Sequence, residues 1–162
     1  MDYDDEYHAL CSAVGFVVVN WAITEQMLDG WVSIIFHDHG GKNIEPEIPR
    51  SLSKKVQFLK TCFKKLPTLA PLQDDALKIL QNVKALSDRR HDLVHGAITS
   101  VTSQNGTFEF AKLDYEKQMH VVRAVHLNLN KFDDLAKEIL DLGGEVGGLG
   151  IRLEELHSPL QK

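Results

Sequence analysis

The stretch KALSDRRHDLVHG, Lys84–Gly96, decides how the rest of the chain is interpreted. On a helix, Arg89, Asp92 and His95 recur every three residues and lie along one side. His91 stands one helical turn before His95, so the two imidazoles also share a side. A glycine follows at once, and glycine is common just past the end of a helix. The pattern predicts a helix that ends near His95 and carries a polar cluster on its last turns.

Helical periodicity also governs the chain before this stretch. Apolar residues recur at steps of three, four or seven over Asp4–Phe36, which predicts a long first helix. A loop rich in glycine and proline follows, and Ser51 or Ser53 can cap a second helix that ends near Lys65. The third helix is predicted over about Leu72–His95.

The helical period stops after the quoted stretch. Apolar residues then alternate with polar or small ones, and Asn105-Gly106 lies between the two runs, which predicts a β-hairpin at about Ala97–Lys112. A fourth helix is predicted over about Tyr115–Leu142. The fold class is therefore mainly α, a helical bundle of about four helices with a small β-hairpin between the third and fourth helices.

The glycines of GGEVGGLG, Gly143–Gly150, predict the end of the folded part of the chain. The length of 162 residues suits one domain with a substantial core. We therefore divide the chain into a single helical domain over residues 1–142 and a Gly-rich linker with a flexible C-terminal tail over residues 143–162.

The charge balance restricts the contacts that the chain can make with nucleic acid. Eighteen lysines and arginines stand against 23 acidic residues, and the formal net charge is −5. Such a chain has no broad basic field, which counts against a protein that coats duplexes nonspecifically. A small local site built around arginine stays compatible with this balance.

The N-terminal sequence and the cysteines indicate a cellular compartment. MDYDDEYHAL is acidic, whereas a secretory signal begins with basic residues. The apolar run Ala13–Val19 is shorter than a membrane span, and polar and charged residues follow it. Cys11 and Cys62 are far apart and are predicted as buried thiols of a reducing compartment. We expect a cytoplasmic protein that does not enter the membrane.

Arg90, the polar residue His91 directly after it, and His95 four residues beyond His91 resemble the motif of the HEPN family. The family usually has asparagine at the polar position, so His91 is a departure. HEPN proteins are small helical domains, often dimeric, and many are metal-independent ribonucleases or nucleic-acid-associated partners of toxin systems. The resemblance extends, in pattern, over roughly Phe16–Leu142. It implies a metal-independent endoribonuclease without a cofactor, or a partner-regulated relative, with single-stranded RNA and a regulatory protein as partners.

The residue types suit that chemistry. When the 2′-hydroxyl of RNA attacks the neighbouring phosphate, one group must take its proton and a cation must stabilise the phosphate oxygens. An imidazole titrates near neutral pH, and a guanidinium offers a planar fork of donors to phosphate. The expected roles are His95 as acid/base, Arg90 as phosphate clamp, His91 as auxiliary catalytic residue and Arg89 as substrate-binding residue.

Two carboxylates are expected to have orienting or structural roles. Asp92, three residues before His95, can orient the imidazole. Glu25 lies beside the apolar stripe of the first helix, where a buried carboxylate needs a cationic partner, and we expect it to pair with Arg89 or Arg90. In the alternative interpretation these polar residues only tie helices together. The chain is then a noncatalytic helical dimer that acts as an interaction or structural protein.

His91 and His95 also form HxxxH, the helical spacing that lets two imidazoles hold one zinc ion. HDLVH resembles the zincin motif HExxH, but Asp92 replaces the glutamate that acts as base there. A third ligand could come only from elsewhere, such as His37–His39. We therefore assign no metal ligand.

A homodimer is expected on two grounds. The first is the resemblance, since HEPN proteins often place their motifs near a shared interface. The second is that the first helix carries more apolar residues than one stripe requires, among them Phe16 and Ile23. A helix that is apolar on much of its circumference needs a second surface to cover it.

Overall fold

The computed structural model describes residues 3–102, 107–116 and 119–157. Within these ranges the fold is mainly helical, with four main helices and a small antiparallel sheet between the third and the fourth, as predicted. Short 3-10 turns at Gly41–Asn43 and Pro67–Leu72 flank the second helix. The elements are α1 (Tyr3–Asp38), α2 (Leu52–Lys65), α3 (Gln73–His95), β1 (Ala97–Thr102), β2 (Thr107–Glu116), β3 (Met119–Asn128) and α4 (Leu129–His157).

Local sequence explains the bounds of α2. Ser51 precedes the helix in an extended conformation, and its Oγ accepts a hydrogen bond from the backbone N–H of Lys54 at 3.4 Å. This side chain replaces a partner that the first turn of a helix lacks. Leu66 is extended again, and Pro67 follows, where the helix cannot continue. The prediction of a second helix capped by a serine and ending near Lys65 is confirmed.

The fourth helix begins 14 residues later than the predicted start at Tyr115, because β3 precedes it. Strand β3 pairs with β2 from Glu116↔Met119 to Thr107↔Asn128, so the sheet has three strands in the order β1-β2-β3. The valines of β3 also recur at helical spacing, but β-branched residues suit a strand, and pairing with β2 satisfies the backbone. Asn128 then caps α4, since its Oδ1 accepts from the N–H of Lys131 at 2.9 Å. The predicted Asn105-Gly106 turn lies outside the described residues.

The prediction of a linker from residue 143 is wrong for residues 143–157, which belong to α4. The glycines serve close packing against α1. A Cβ at Gly143 would lie 3.2 Å from Thr24 Oγ1, and one at Gly150 would lie 3.2 Å from Trp31 Nε1. The Trp31 indole donates a hydrogen bond to the backbone oxygen of Val146 at 3.1 Å, which is possible only because α4 approaches so closely. Residues 158–162 lie outside the described ranges.

The chain forms two compact units, which differs from the predicted single domain over residues 1–142. Helices α1, α3 and α4 each contribute residues to both. In the first unit Phe108 and Phe132 meet edge to face with their ring centres 6.0 Å apart. In the second unit Trp31 and Phe63 do the same at 6.1 Å. The first unit comprises Met1–Asn20 and Leu86–Ile139, and the second comprises Trp21–Ala85 and Leu140–Lys162.

Helix α1 exposes a long apolar surface. By length and composition alone, Tyr7–Asp38 could cross a membrane, and 22% of its most apolar stretch is buried in the fold. Cys11 is exposed on this helix, which contradicts the prediction that it is buried. Cys62 is buried as predicted, and burial raises the pKa of its thiol to about 12.

Candidate functional site

The last turns of α3 hold the three residues of the Arg/His motif. The helix ends at His95, and the N–H of Gly96 closes the last turn on the backbone oxygen of Asp92 at 3.1 Å. His91 and His95 lie one turn apart, with ring centres 4.3 Å apart and planes tilted by 48°. Both side chains are exposed. The structure therefore brings the two imidazoles together at a position that a ligand can reach.

The two arginines of the motif have different surroundings. Arg89 Nη1 donates to Glu138 Oε2 of α4, and both side chains are half exposed. Arg90 is partly buried, and its Nε is buried without a hydrogen-bond partner. Among the described residues Arg90 forms no salt bridge. Arg89 therefore has its acidic partner on α4, and Glu25, the partner predicted for Arg89 or Arg90, belongs to the second unit.

Asp92 binds the sheet and makes no hydrogen bond with His95. Its carboxylate accepts from Lys112 Nζ at 2.8 Å and from both Nη atoms of Arg123 at 2.7 and 3.0 Å. Arg123 Nε donates in turn to Asp114 at 2.8 Å. The hydrogen bonds from Arg123, and then those from Lys112, lower the pKa of the Asp92 carboxyl to about 2. Asp92 thus stays ionised and joins the end of α3 to β2 and β3, so the expected orienting role toward His95 is replaced by a structural one.

His91 lies in a positively charged environment. Its pKa is lowered first by desolvation and then by the nearby charges of Lys112, His95 and Arg90, with Asp92 opposing them. These effects favour the neutral imidazole, because a further positive charge is unfavourable among cations. A neutral imidazole can accept a proton from a substrate at neutral pH.

The sequence analysis did not identify Lys112 and Arg123 as residues of this site. They face each other in the β2–β3 register, and like charges directly opposite in a sheet are unfavourable. Asp92 and Asp114 offset this repulsion, since each carboxylate contacts both cations. The alternation of residues within β3 could have revealed them, but only if that segment had been predicted as a strand.

The described side chains that could bind a metal ion are not clustered. Among residues 3–102, 107–116 and 119–157, no three His, Cys, Asp or Glu side chains lie close enough to hold a metal ion together. His37–His39, considered as a source of a third ligand, belongs to the second unit, whereas His91 and His95 belong to the first.

Comparisons of the chain with models of protein families, with curated proteins and with solved structures found no match.

Proposed function

We propose that this protein is a HEPN-like, metal-independent endoribonuclease that cleaves single-stranded RNA, or a partner-regulated relative of one. The observation that carries the proposal is the exposed pair of imidazoles of His91 and His95, 4.3 Å apart, on the same helical turns as Arg90. This combination supplies two proton-transfer groups and a cation.

The proposed reaction needs two proton transfers. A base takes the proton of the 2′-hydroxyl, the 2′-oxygen bonds to phosphorus, and the bond between phosphorus and the 5′-oxygen breaks. The departing 5′-oxygen must then receive a proton. Because the pKa of His91 is lowered, His91 suits the role of acceptor. His95, beside it, is then the group that returns a proton to the 5′-oxygen.

Arg90 suits the binding of the phosphate. A guanidinium presents parallel donors that match two phosphate oxygens, and Arg90 has no carboxylate partner among the described residues. Lys112 and Arg123 are held by carboxylates and contribute to the positive environment around His91. Arg89 would have to exchange Glu138 for a phosphate before it could bind substrate.

The wild-type protein is expected to cut labelled single-stranded RNA and to leave DNA of the same sequence intact, because DNA lacks the attacking hydroxyl. The rate is expected to be the same with and without a chelator, since no step uses a metal ion. Gel analysis of both substrates measures this. Cleavage that stops with chelator and returns with zinc would instead support a metal site at the HxxxH pair, and cleavage of DNA would contradict the mechanism.

A second candidate function, that of a noncatalytic helical dimer, is favoured by the exposed face of α1. Phe16, Val19, Ile23 and Met27 recur at helical spacing with 46%, 59%, 47% and 39% of their surfaces exposed. Helix α1 contains no lysine or arginine and several acids. An anionic membrane surface would repel such a helix. We therefore propose a second copy of the chain, with its own uncharged face, as the partner that covers it. Dimerisation by itself is also compatible with the first proposal, because a dimer can be an enzyme.

Val19→Glu is expected to convert a dimer into a monomer, because it places a charge in an apolar interface. Light scattering at micromolar concentrations measures the mass. Val122→Glu, a matched change at a valine that is 67% exposed on β3, is the control and should stay dimeric. A monomeric wild-type protein, or one that binds lipid vesicles through α1, would overturn the proposed dimer.

A further inference from the structure

Helix α2 and the two residues before it form a basic segment that contains no acidic residue. Arg50–Lys65 contains six of the 18 lysines and arginines of the chain and no aspartate or glutamate. The protein as a whole has a net charge of −5, so this concentration of positive charge contrasts with the remainder. A local cationic field of this kind attracts polyanions even when the net charge is negative.

Most of these charges have no acidic partner. Lys55 is buried and binds Asp29 at 2.5 Å. The other five form no salt bridge within the part of the chain that the structure describes. Several cations elsewhere are paired, for example Arg152 with Asp75 at 2.7 Å. We call these five residues the α2 basic face: Arg50, Lys54, Lys60, Lys64 and Lys65.

Three residues of the α2 basic face, Arg50, Lys54 and Lys65, line a surface cleft of about 760 Å³. Lys54, Gln57, Thr61 and Lys65 line the cleft along one side of the helix. At 1.5 Å per residue, the backbone from Lys54 to Lys65 spans roughly 16 Å, enough for several contacts with a chain molecule. Lysine, arginine and small polar side chains are the groups that contact the phosphates and sugars of nucleic acids.

The same face does not suit a membrane. A helix that lies in a membrane surface exposes apolar residues beside its basic ones. The apolar residues of α2 are instead buried in the second unit, among them Val56, Leu59 and Phe63. In the cleft, Ile48 is the large apolar side chain that is substantially exposed, at 47%.

We propose that the α2 basic face binds the phosphodiester backbone of single-stranded RNA without reading its sequence. The choice of RNA among polyanions rests on the proposed ribonuclease function, whereas the presence of a polyanion surface rests on the charges themselves. Glu45 and Glu47 also line the cleft and oppose binding. Removing the charges of these two glutamates should therefore strengthen binding, whereas removing lysines of the α2 basic face should weaken it.

Single-stranded DNA is the probe for this test, because it carries the same phosphates and cannot be cut through a 2′-hydroxyl. Fluorescence anisotropy with the full chain should show that Lys54→Ala/Lys65→Ala weakens binding roughly 10- to 30-fold at 0.1 M salt. The slope of log K against log salt should become shallower by about 1.4, since two single-strand contacts are lost. Lys131→Ala/Lys137→Ala, an equal charge change at two exposed lysines of α4, is the control and should bind like wild type. Glu45→Gln/Glu47→Gln should bind more tightly.

Equal binding by Lys54→Ala/Lys65→Ala and the control variant would overturn the inference. Tighter binding of polyglutamate or of phosphatidylserine vesicles than of the oligonucleotide would overturn the assignment of the partner. A thermal unfolding midpoint equal to that of the wild-type protein will show that each variant is folded. If the oligonucleotide binds through α2 but RNA is never cut, the polyanion surface stands and the proposed ribonuclease function fails. The two results are thus separable.

Discussion

His95→Ala is expected to lower the rate of single-stranded RNA cleavage by about 10²- to 10⁴-fold, the usual contribution of a positioned general acid or base. The fold should be retained, because the His95 side chain is exposed and its ring contact is with His91, which is also exposed. The measurements are single-turnover rates on labelled RNA and thermal unfolding of each protein. His91→Ala should also slow cleavage, since the proposed reaction uses both imidazoles.

His126→Ala is the matched control for the loss of an imidazole. His126 lies on β3 in the same unit, its side chain is 62% exposed, and its Nδ1 is 3.8 Å from Glu109. Its removal should leave the rate unchanged. Equal cleavage by wild type and His95→Ala would exclude His95 from the chemistry. A His95→Ala protein that no longer folds would show that the residue has a structural role.

Asp92→Asn is expected to lower the free energy of unfolding at pH 7 by about 1–2 kcal/mol, the largest stability effect that we predict. The pKa of the Asp92 carboxyl is about 2 in the folded protein against an ordinary value of 3.8. Each pKa unit corresponds to about 1.4 kcal/mol of stabilisation. Because Arg123 is 44% exposed, solvent screening reduces the stabilisation that this pKa difference would give. Asparagine keeps the shape and removes the charge, so Lys112 keeps only the weaker contact with Asp114 at 3.5 Å.

The effect of Asp92→Asn on the free energy of unfolding should depend on pH. Because the pKa of Asp92 is depressed in the folded state, its stabilisation is fully present above about pH 4 and is lost as the pH falls toward 2. Urea denaturation from pH 7 to pH 2.5 should show the gap between wild type and Asp92→Asn closing in that window. Glu138→Gln, which breaks the exposed pair with Arg89, should cost no more than about 0.5 kcal/mol. A gap that does not change with pH would show that the charge of Asp92 is not the cause.

The sequence was sufficient for elements whose signals are local. The spacing of apolar residues located α1, α2 and α3 to within about two residues, because each buries one stripe and lies between recognisable breakers. Ser51 identified the start of α2 because a cap is a contact between neighbours in the chain. The arrangement of Arg90, His91 and His95 on one helical end also followed from spacing alone.

Contacts between distant segments determined the rest. The valines of β3 fit both a helical and an alternating pattern, and pairing with β2 selected the strand. The glycines after Leu142 break an isolated helix, yet they lie within α4 because residues without side chains let it approach Trp31.

The same distinction holds for the candidate site. Two imidazoles and an arginine share the end of α3 for a local reason, because helical geometry fixes the relative positions of residues that are close in the chain. The contacts of Asp92 with Lys112 and Arg123, and that of Glu138 with Arg89, depend instead on how distant segments pack. The physical reason is that ion pairs form between whichever charges the packing brings within about 4 Å, and separation along the chain does not encode that distance.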